Sequence, residues 1–226
     1  MSIPGKRIRV WDLPTRLFHW LLAACVVGAY VCIKVGGLWV DYHFLFGYAA
    51  LSLILFRLIW GIVGPPRARF VNFVRGPVTV WAYLRGRLPD QGGHSPLGAL
   101  SVVAMLLAFA FQTVSGLFTN DDIVNEGPLV ARISKETSDR ISSLHHSNEW
   151  IMIGLVALHI AAVAYYVLVR RKRIVTAMIT GDDTATPGDT RASTPDTASV
   201  RVRGLVVALV SVGIVWGMVR FGPGGF

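Results

Sequence analysis

The chain has 226 residues, of which 53% are hydrophobic and 15% charged, and its mean hydropathy is +0.54. Soluble domains carry about 25% charged residues, so there is too little polar material here to coat a globule, and a soluble enzyme domain is excluded. The net charge of +9 would suit nucleic acid or anionic lipid. Because the apolar residues are gathered into blocks of bilayer-spanning length, basic loops facing lipid account for it, and nucleic-acid binding is not expected.

The amino end is basic as far as Arg16 and leads into an apolar block from Leu17 to Val35. That block is long enough to span and has no small-residue cleavage site, so it reads as a retained helix rather than a cleaved leader. Cys25 and Cys32 both lie in it, on one helix face, too far apart to bridge, and read as packing residues. A second block runs from Tyr42 to Val63 and is stopped by Gly64, Pro65 and Pro66. The basic stretch from Arg67 to Arg87, with Trp81 and Tyr83, suggests a helix lying on the membrane surface. The third block, Pro96 to Phe118, opens on a proline suited to a first helical turn. An acidic loop, Thr119 to Arg140, precedes the fourth block, Ser143 to Val169, which ends in Arg170, Arg171, Lys172 and Arg173.

Residues 182–200, rich in Thr, Asp, Ala and Pro, read as a flexible linker between a core of residues 1–181 and a carboxyl-terminal segment, 201–226. The last apolar run, Gly204 to Val219, is about 24 Å long as helix, against a hydrocarbon core of about 30 Å. With Arg201, Arg203 and Arg220 snorkelling to the interfaces it is expected to span as a fifth helix, an interfacial tail being the alternative. The fold class is therefore an all-α membrane protein: a bundle of four transmembrane helices with a fifth at the carboxyl end. Trp11, Trp20, Trp39, Trp60 and Trp81 lie near block ends and read as aromatic-belt residues.

With the amino end, the loop between blocks two and three, and the end of block four on one side, that side holds fourteen Lys and Arg residues against four on the other. The positive-inside rule then places the amino terminus in the cytoplasm.

Ionisable residues inside a membrane segment are costly and mark function. His19 lies near the start of the first block, His43 near the start of the second, His145 near the start of the fourth and His159 deep in the fourth. Fourteen residues at about 100° each return His159 to within about 40° of His145, and the two are about 21 Å apart along the axis. One helix thus offers two ligands on one face at two depths, and two pairs follow: His43 with His145 on the outer side, His19 with His159 on the inner. His146 is rotated by about 100° from His145 and faces away. Zinc wants several donors at one point, whereas two trans imidazoles suit a haem iron. No C-x-x-C-H is present, so the haems would be b-type and non-covalent. Gly47, four residues after His43, and Gly28, Ala157, Ala161 and Ala162 would let a macrocycle approach, and Arg16 and Arg57 would pair its propionates. The competing readings are histidines that hydrogen-bond between helices and arginines that only set orientation. His94, in a Gly-Gly-His-Ser-Pro loop, reads as a loop or cap residue.

The run from Arg9 to Trp20, His43 with Gly47-Tyr48, Arg57 with Trp60-Gly61, and His94 to Gly98 together resemble the bacterial cytochrome b561 and nickel-iron hydrogenase cytochrome b family. So do Ser115 to Phe118 leading into Asp121-Asp122, His145 with His159, and Met178 to Gly181. The resemblance covers about residues 8–181 and implies four helices, two b haems with His19, His43, His145 and His159 at the ligand positions, and residence in the bacterial inner membrane. It also implies electron transfer between the quinone pool and a partner: a hydrogenase, another dehydrogenase or a c-type cytochrome. An autonomous superoxide:quinone oxidoreductase on the same scaffold is one alternative, and a haem-free transporter or anchor another. The acidic loop, with Asp121, Asp122, Glu126, Glu136 and Asp139, would suit a basic partner.

Overall fold

The computed structural model describes residues 7–74, 76–85, 95–123, 125–184 and 192–222. Five helices in it are long and apolar enough to cross a membrane. The first, α1 (Leu13–Val35), is capped by Asp12, whose carboxylate accepts from the Thr15 N–H at 2.9 Å, with Pro14 in the opening turn. It ends at Gly36 and Gly37, with φ of 73° and 58°, a pair of left-handed conformations that glycine adopts without a Cβ clash. A 3-10 turn follows and α2 (Val40–Val63) returns antiparallel. The surface segment is two short helices, α3 (Phe70–Phe73) and α4 (Pro77–Leu84), not one. Then come α5 (Pro96–Ser115), capped by Ser95, and α6 (Lys135–Leu168), capped by Ser134. The short α7 (Ile174–Thr180) precedes the last helix, α8 (Ala198–Arg220). His94 lies outside the described residues.

Three boundaries differ from the sequence reading. Helix α1 begins four residues earlier, because Asp12 and Pro14 supply a complete start signal. At 34 residues, α6 begins eight residues earlier and measures about 51 Å, well beyond a hydrocarbon core of about 30 Å, so its first two turns stand clear of the bilayer. Helix α8 takes in Arg201 and Arg203, and its 23 residues give about 34 Å, enough to span.

The helices form two antiparallel pairs. Helix α1 packs along α2, and α5 along α6; α2 touches α5 on one side and α8 on the other. A mid-depth apolar layer joins the pairs: Leu22, Ala50, Ile54, Leu106 and Phe109, with Met152 and Val156 of α6 packed against it. Outward residues such as Val27, Ile62, Leu107, Leu158 and Leu209 are exposed, as lipid-facing positions must be. Gly204 of α8 lies against the Pro14 ring at one face of the bundle and Gly222 against the Pro128 carbonyl at the other, so α8 runs the full height. Between them Val207, Ser211 and Val215 are buried, and Ser211 spends its hydroxyl on the Val207 carbonyl. Small residues let the backbones approach where no hydrophobic effect drives association in lipid.

The amino-terminal face is closed by chain segments far apart in sequence. Strand β1 (Arg7–Arg9) pairs antiparallel with β2 (Asp182–Thr184). The last carbonyls of α7, which have no intrahelical partner, accept from Trp20 (to Met178), Arg16 (to Ile179) and Arg9 (to Thr180). Gly181, at φ 88°, ends α7 and accepts from the Val10 and Trp11 N–H groups. Both ends of the expected linker are thus tied down: Thr194 bonds the Arg9 and Val10 backbone, and Asp196 accepts from the Leu13 N–H and from Arg201 while pairing with Arg9. Trp11 and Trp60 are not belt residues. Both are buried, and Trp60 donates its indole N–H to Asp12.

Two predictions concern α8. A Cβ on Gly204 would meet Pro14 at 2.6 Å, whereas on Gly213 it would meet nothing within 4 Å. Gly204→Val should therefore cost about 1–3 kcal/mol by overpacking, lowering the melting temperature in detergent, while Gly213→Ala leaves it unchanged. The second uses Asp196. Burial pushes its carboxyl up, but bonds from Arg201 and Leu13 and the charges of Arg201 and Arg9 outweigh this and hold it below the ordinary 3.8. A depressed folded-state value stabilises the fold above the ordinary range and is lost as pH falls through it. The melting-temperature gap between wild type and Asp196→Asn should be constant from about pH 7 to 5 and shrink below about pH 4.

Candidate functional site

Of the spanning helices, α6 packs closely along α5 alone and stands off from α1 and α2. Side chains bridge the space at two levels. At the amino-terminal level His19, in the second turn of α1, faces His159 of α6 with ring centroids 6.4 Å apart and planes at 52°. A metal held between two imidazole nitrogens at about 2 Å each would set the ring centres roughly 6 Å apart. Trp20 lies edge-on to His19 at 4.9 Å, and the His19 Nδ1 is buried with no partner in the chain.

Arg57, in the penultimate turns of α2, is 3% exposed. Its guanidinium lies 4.6 Å over the Phe70 ring and 5.8 Å from Phe73. Asp12, whose charge reaches it, has its carboxylate taken up by Thr15 and Trp60, and the Arg57 Nη1 has no acceptor. A buried cation with an unmet donor is expensive, and the Phe70 and Phe73 rings offset only part of that cost. Arg16 is more committed: Nη1 donates to Ile179 at 2.6 Å, Nη2 lies 4.0 Å from Asp196, and only Nε is unmatched.

At the opposite level His43, one turn into α2, donates Nδ1–H to the Ala29 carbonyl of α1 at 2.9 Å. Its counterpart expected from depth is His145 of α6. The His145 ring nitrogens are both engaged by α5: Nδ1 with Ser115 Oγ at 2.9 Å and Nε2 with the Gln112 amide at 3.0 Å. Gly47 follows His43 by one turn, and a Cβ there would meet nothing within 4 Å. Gly28, by contrast, makes room for Phe46 and is a helix-packing residue. His146 is exposed. Lys34, at the end of α1, reaches Glu149 of α6 at 2.6 Å, bracing the two helix pairs at this face.

The two levels are about 21 Å apart along α6, with the Leu22–Ile54–Phe109 layer between them. Among the described residues no three of His, Cys, Asp and Glu gather at one point; the donors come as imidazole pairs. Sequence reasoning missed Gln112, Ser115, Asn148, and Lys34 with Glu149. The signal available was the rarity of amides and carboxylates within otherwise apolar spans.

The chain matches the family described as prokaryotic cytochrome b561 over residues 10–181. It is 24% identical over 211 residues to the protein of Azotobacter chroococcum mcd 1 described as "Probable Ni/Fe-hydrogenase B-type cytochrome subunit", covering 77% of this chain and 87% of that one. Proteins of the same description from Cupriavidus necator and Rhizobium leguminosarum bv. viciae are each 22% identical, covering 78% and 80% of this chain and 88% and 90% of theirs. No solved structure matches the chain significantly. Since the family match takes in α1, α2, α5, α6 and the closure of the amino-terminal face, the chain belongs to the prokaryotic cytochrome b561 family, multi-pass membrane cytochromes that bind haem b and transfer electrons.

Proposed function

We propose that the chain is a dihaem b-type cytochrome, with His19 and His159 as the axial pair of one haem and His43 and His145 as that of the other. The observation that carries this is the His19–His159 pair, 6.4 Å between centroids across helices that otherwise stand apart. The donor chemistry fits haem b at the amino-terminal level: an imidazole pair, a buried nitrogen without a partner and, in Arg57, an unmatched guanidinium suited to a propionate. At the opposite level it fits once the Gln112 amide, the end of a flexible side chain, yields the His145 Nε2. Each haem would supply a one-electron iron couple, and held by a histidine from each of two helices it would favour outer-sphere transfer over oxygen activation. The chain's tasks are to hold the imidazoles, keep water out with the mid-depth apolar layer and present the two levels to opposite membrane faces.

The direction of insertion proposed is amino terminus in the cytoplasm, since the face carrying Arg9, Arg16, Arg67, Arg69 and Arg201 is the basic one, in a bacterial inner membrane. The proposed exchange partners are the quinone pool and a redox protein. The descriptions of the relatives name a Ni/Fe hydrogenase, which supports that class over another dehydrogenase or a c-type cytochrome.

The test is a haem count by pyridine haemochrome on purified protein. Wild type should hold two haems and each of His19→Ala, His43→Ala, His145→Ala and His159→Ala one. The His19/His159 double variant should lose no more than either single variant, and His146→Ala should keep both. A colourless wild-type protein, or single variants that retain two haems, would overturn the assignment. Gly47→Leu fills open space beside His43, and should still accumulate as folded protein while losing the His43/His145 haem alone.

A further inference from the structure

Three polar residues that the ligand set does not use, Gln112, Ser115 and Asn148, make a directional chain ending on His145. Its anchor is a backbone carbonyl, which can only accept: Ala108 O lies 3.0 Å from one end of the Asn148 amide, so that end is the NH2. The same nitrogen lies 2.7 Å from the Gln112 amide, whose facing atom is therefore its oxygen. The other end of Gln112, its NH2, then points at His145 Nε2 at 3.0 Å, and that ring nitrogen bears a lone pair. A neutral imidazole so placed carries its proton on Nδ1 and donates it to Ser115 Oγ at 2.9 Å, while the Ser115 hydroxyl donates onward to the backbone carbonyl of Gln112 at 3.1 Å. Every proton has one place, and turning either amide over would set like groups against each other. Asn148 and Ser115 are both buried, so no bulk water competes.

We propose that Ser115 is the positioning residue for His145: with its hydroxyl proton committed to the Gln112 backbone carbonyl it accepts from Nδ1–H, fixing the tautomer that leaves Nε2 as the ligating atom once the Gln112 amide yields it. This rests on the reading of His145 as a haem ligand. His43 reaches the same tautomer by a different acceptor, the Ala29 carbonyl, so both imidazoles of this level offer Nε2. A hydrogen bond from the far ring nitrogen makes the ligand more basic and favours ferric over ferrous iron. Ser115 thereby lowers the potential of the His43/His145 haem and leaves the His19/His159 haem untouched.

The experiment is a spectroelectrochemical titration of full-length protein in detergent, with Ser115→Ala, Ser115→Thr and Asn148→Leu. Ser115→Ala should raise one of the two midpoints by about 59 mV, a tenfold loss of ferric preference for a one-electron couple, with the other unmoved. Ser115→Thr should restore it. Asn148→Leu, which frees Gln112 to leave Nε2 and does not touch the Ser115 bond, should keep both haems with both midpoints unmoved. Two unshifted midpoints in Ser115→Ala, or equal shifts in both, would overturn the proposal. If His145→Ala still binds two haems the ligand assignment itself fails, a result separable from the serine's effect. Should Ser115→Ala not accumulate, Ser115→Cys, close in volume and a weaker acceptor, decides by the same rise of one midpoint.

Discussion

An imidazole or guanidinium placed inside an apolar bundle must find a partner there, because lipid offers none. That constraint organises this molecule. Helix α6 stays clear of α1 and α2, although protein interiors otherwise close-pack, and polar groups of opposed helices meet across the space: His19 with His159, and Lys34 with Glu149. At the amino-terminal level the chain leaves His19 Nδ1 and Arg57 Nη1 without acceptors. At the other level it commits nearly every donor, with His43 on a carbonyl and His145 on an amide and a hydroxyl. The two histidine levels are thus set in different surroundings, one beside unmatched donors and one among neutral hydrogen bonds.

The rest of the fold keeps the two helix pairs at a fixed separation. On the amino-terminal face, α7 is held by Arg9, Arg16 and Trp20, and α8 by Asp196 with Arg9 and Arg201. Helix α8 adds no histidine. It backs the face of α2 turned away from α5, where Val200 and Val207 pack on Phe56 and Trp60. Trp60 in turn donates to Asp12, which caps α1. A displacement of α8 is therefore felt at the start of α1, two turns from His19, through a path of buried contacts.

Much of this was legible because helix geometry is regular. The spans followed from apolar block length, and the meeting of His19 with His159 from matching depths. The exposed His146 beside an inward His145 followed from a rotation of about 100°. What was not legible depended on partners distant in sequence. Trp60 looks like a belt residue until Asp12, forty-eight positions earlier, is seen to accept its indole proton. The length of α8 was underestimated because only the apolar run from Gly204 was counted as helix, whereas the helix starts at Ala198 and takes in the snorkelling arginines. The order at both ends of the 182–200 segment comes from Arg9, Val10 and Leu13, which no local composition reveals. Gln112 and Asn148 lie on different helices, and only packing shows that their amides meet on a histidine.

The depth matching has a simple mechanical origin. Helix α6 is continuous through His145 and His159, so the two are held about 21 Å apart by helical rise. Their partners come from a hairpin. Counted from Gly36, His19 lies seventeen residues back along α1, about 25 Å down. His43 lies three residues beyond Val40, the start of α2, about 5 Å down. The difference, about 20 Å, equals the spacing on α6 to within one residue's rise. The turn at Gly36 and Gly37, where positive φ keeps the reversal short, therefore sets the relative depths of His19 and His43 although it touches neither. A longer connection would let α2 slide against α1, and the hairpin would no longer match the rigid ruler that α6 lays beside it.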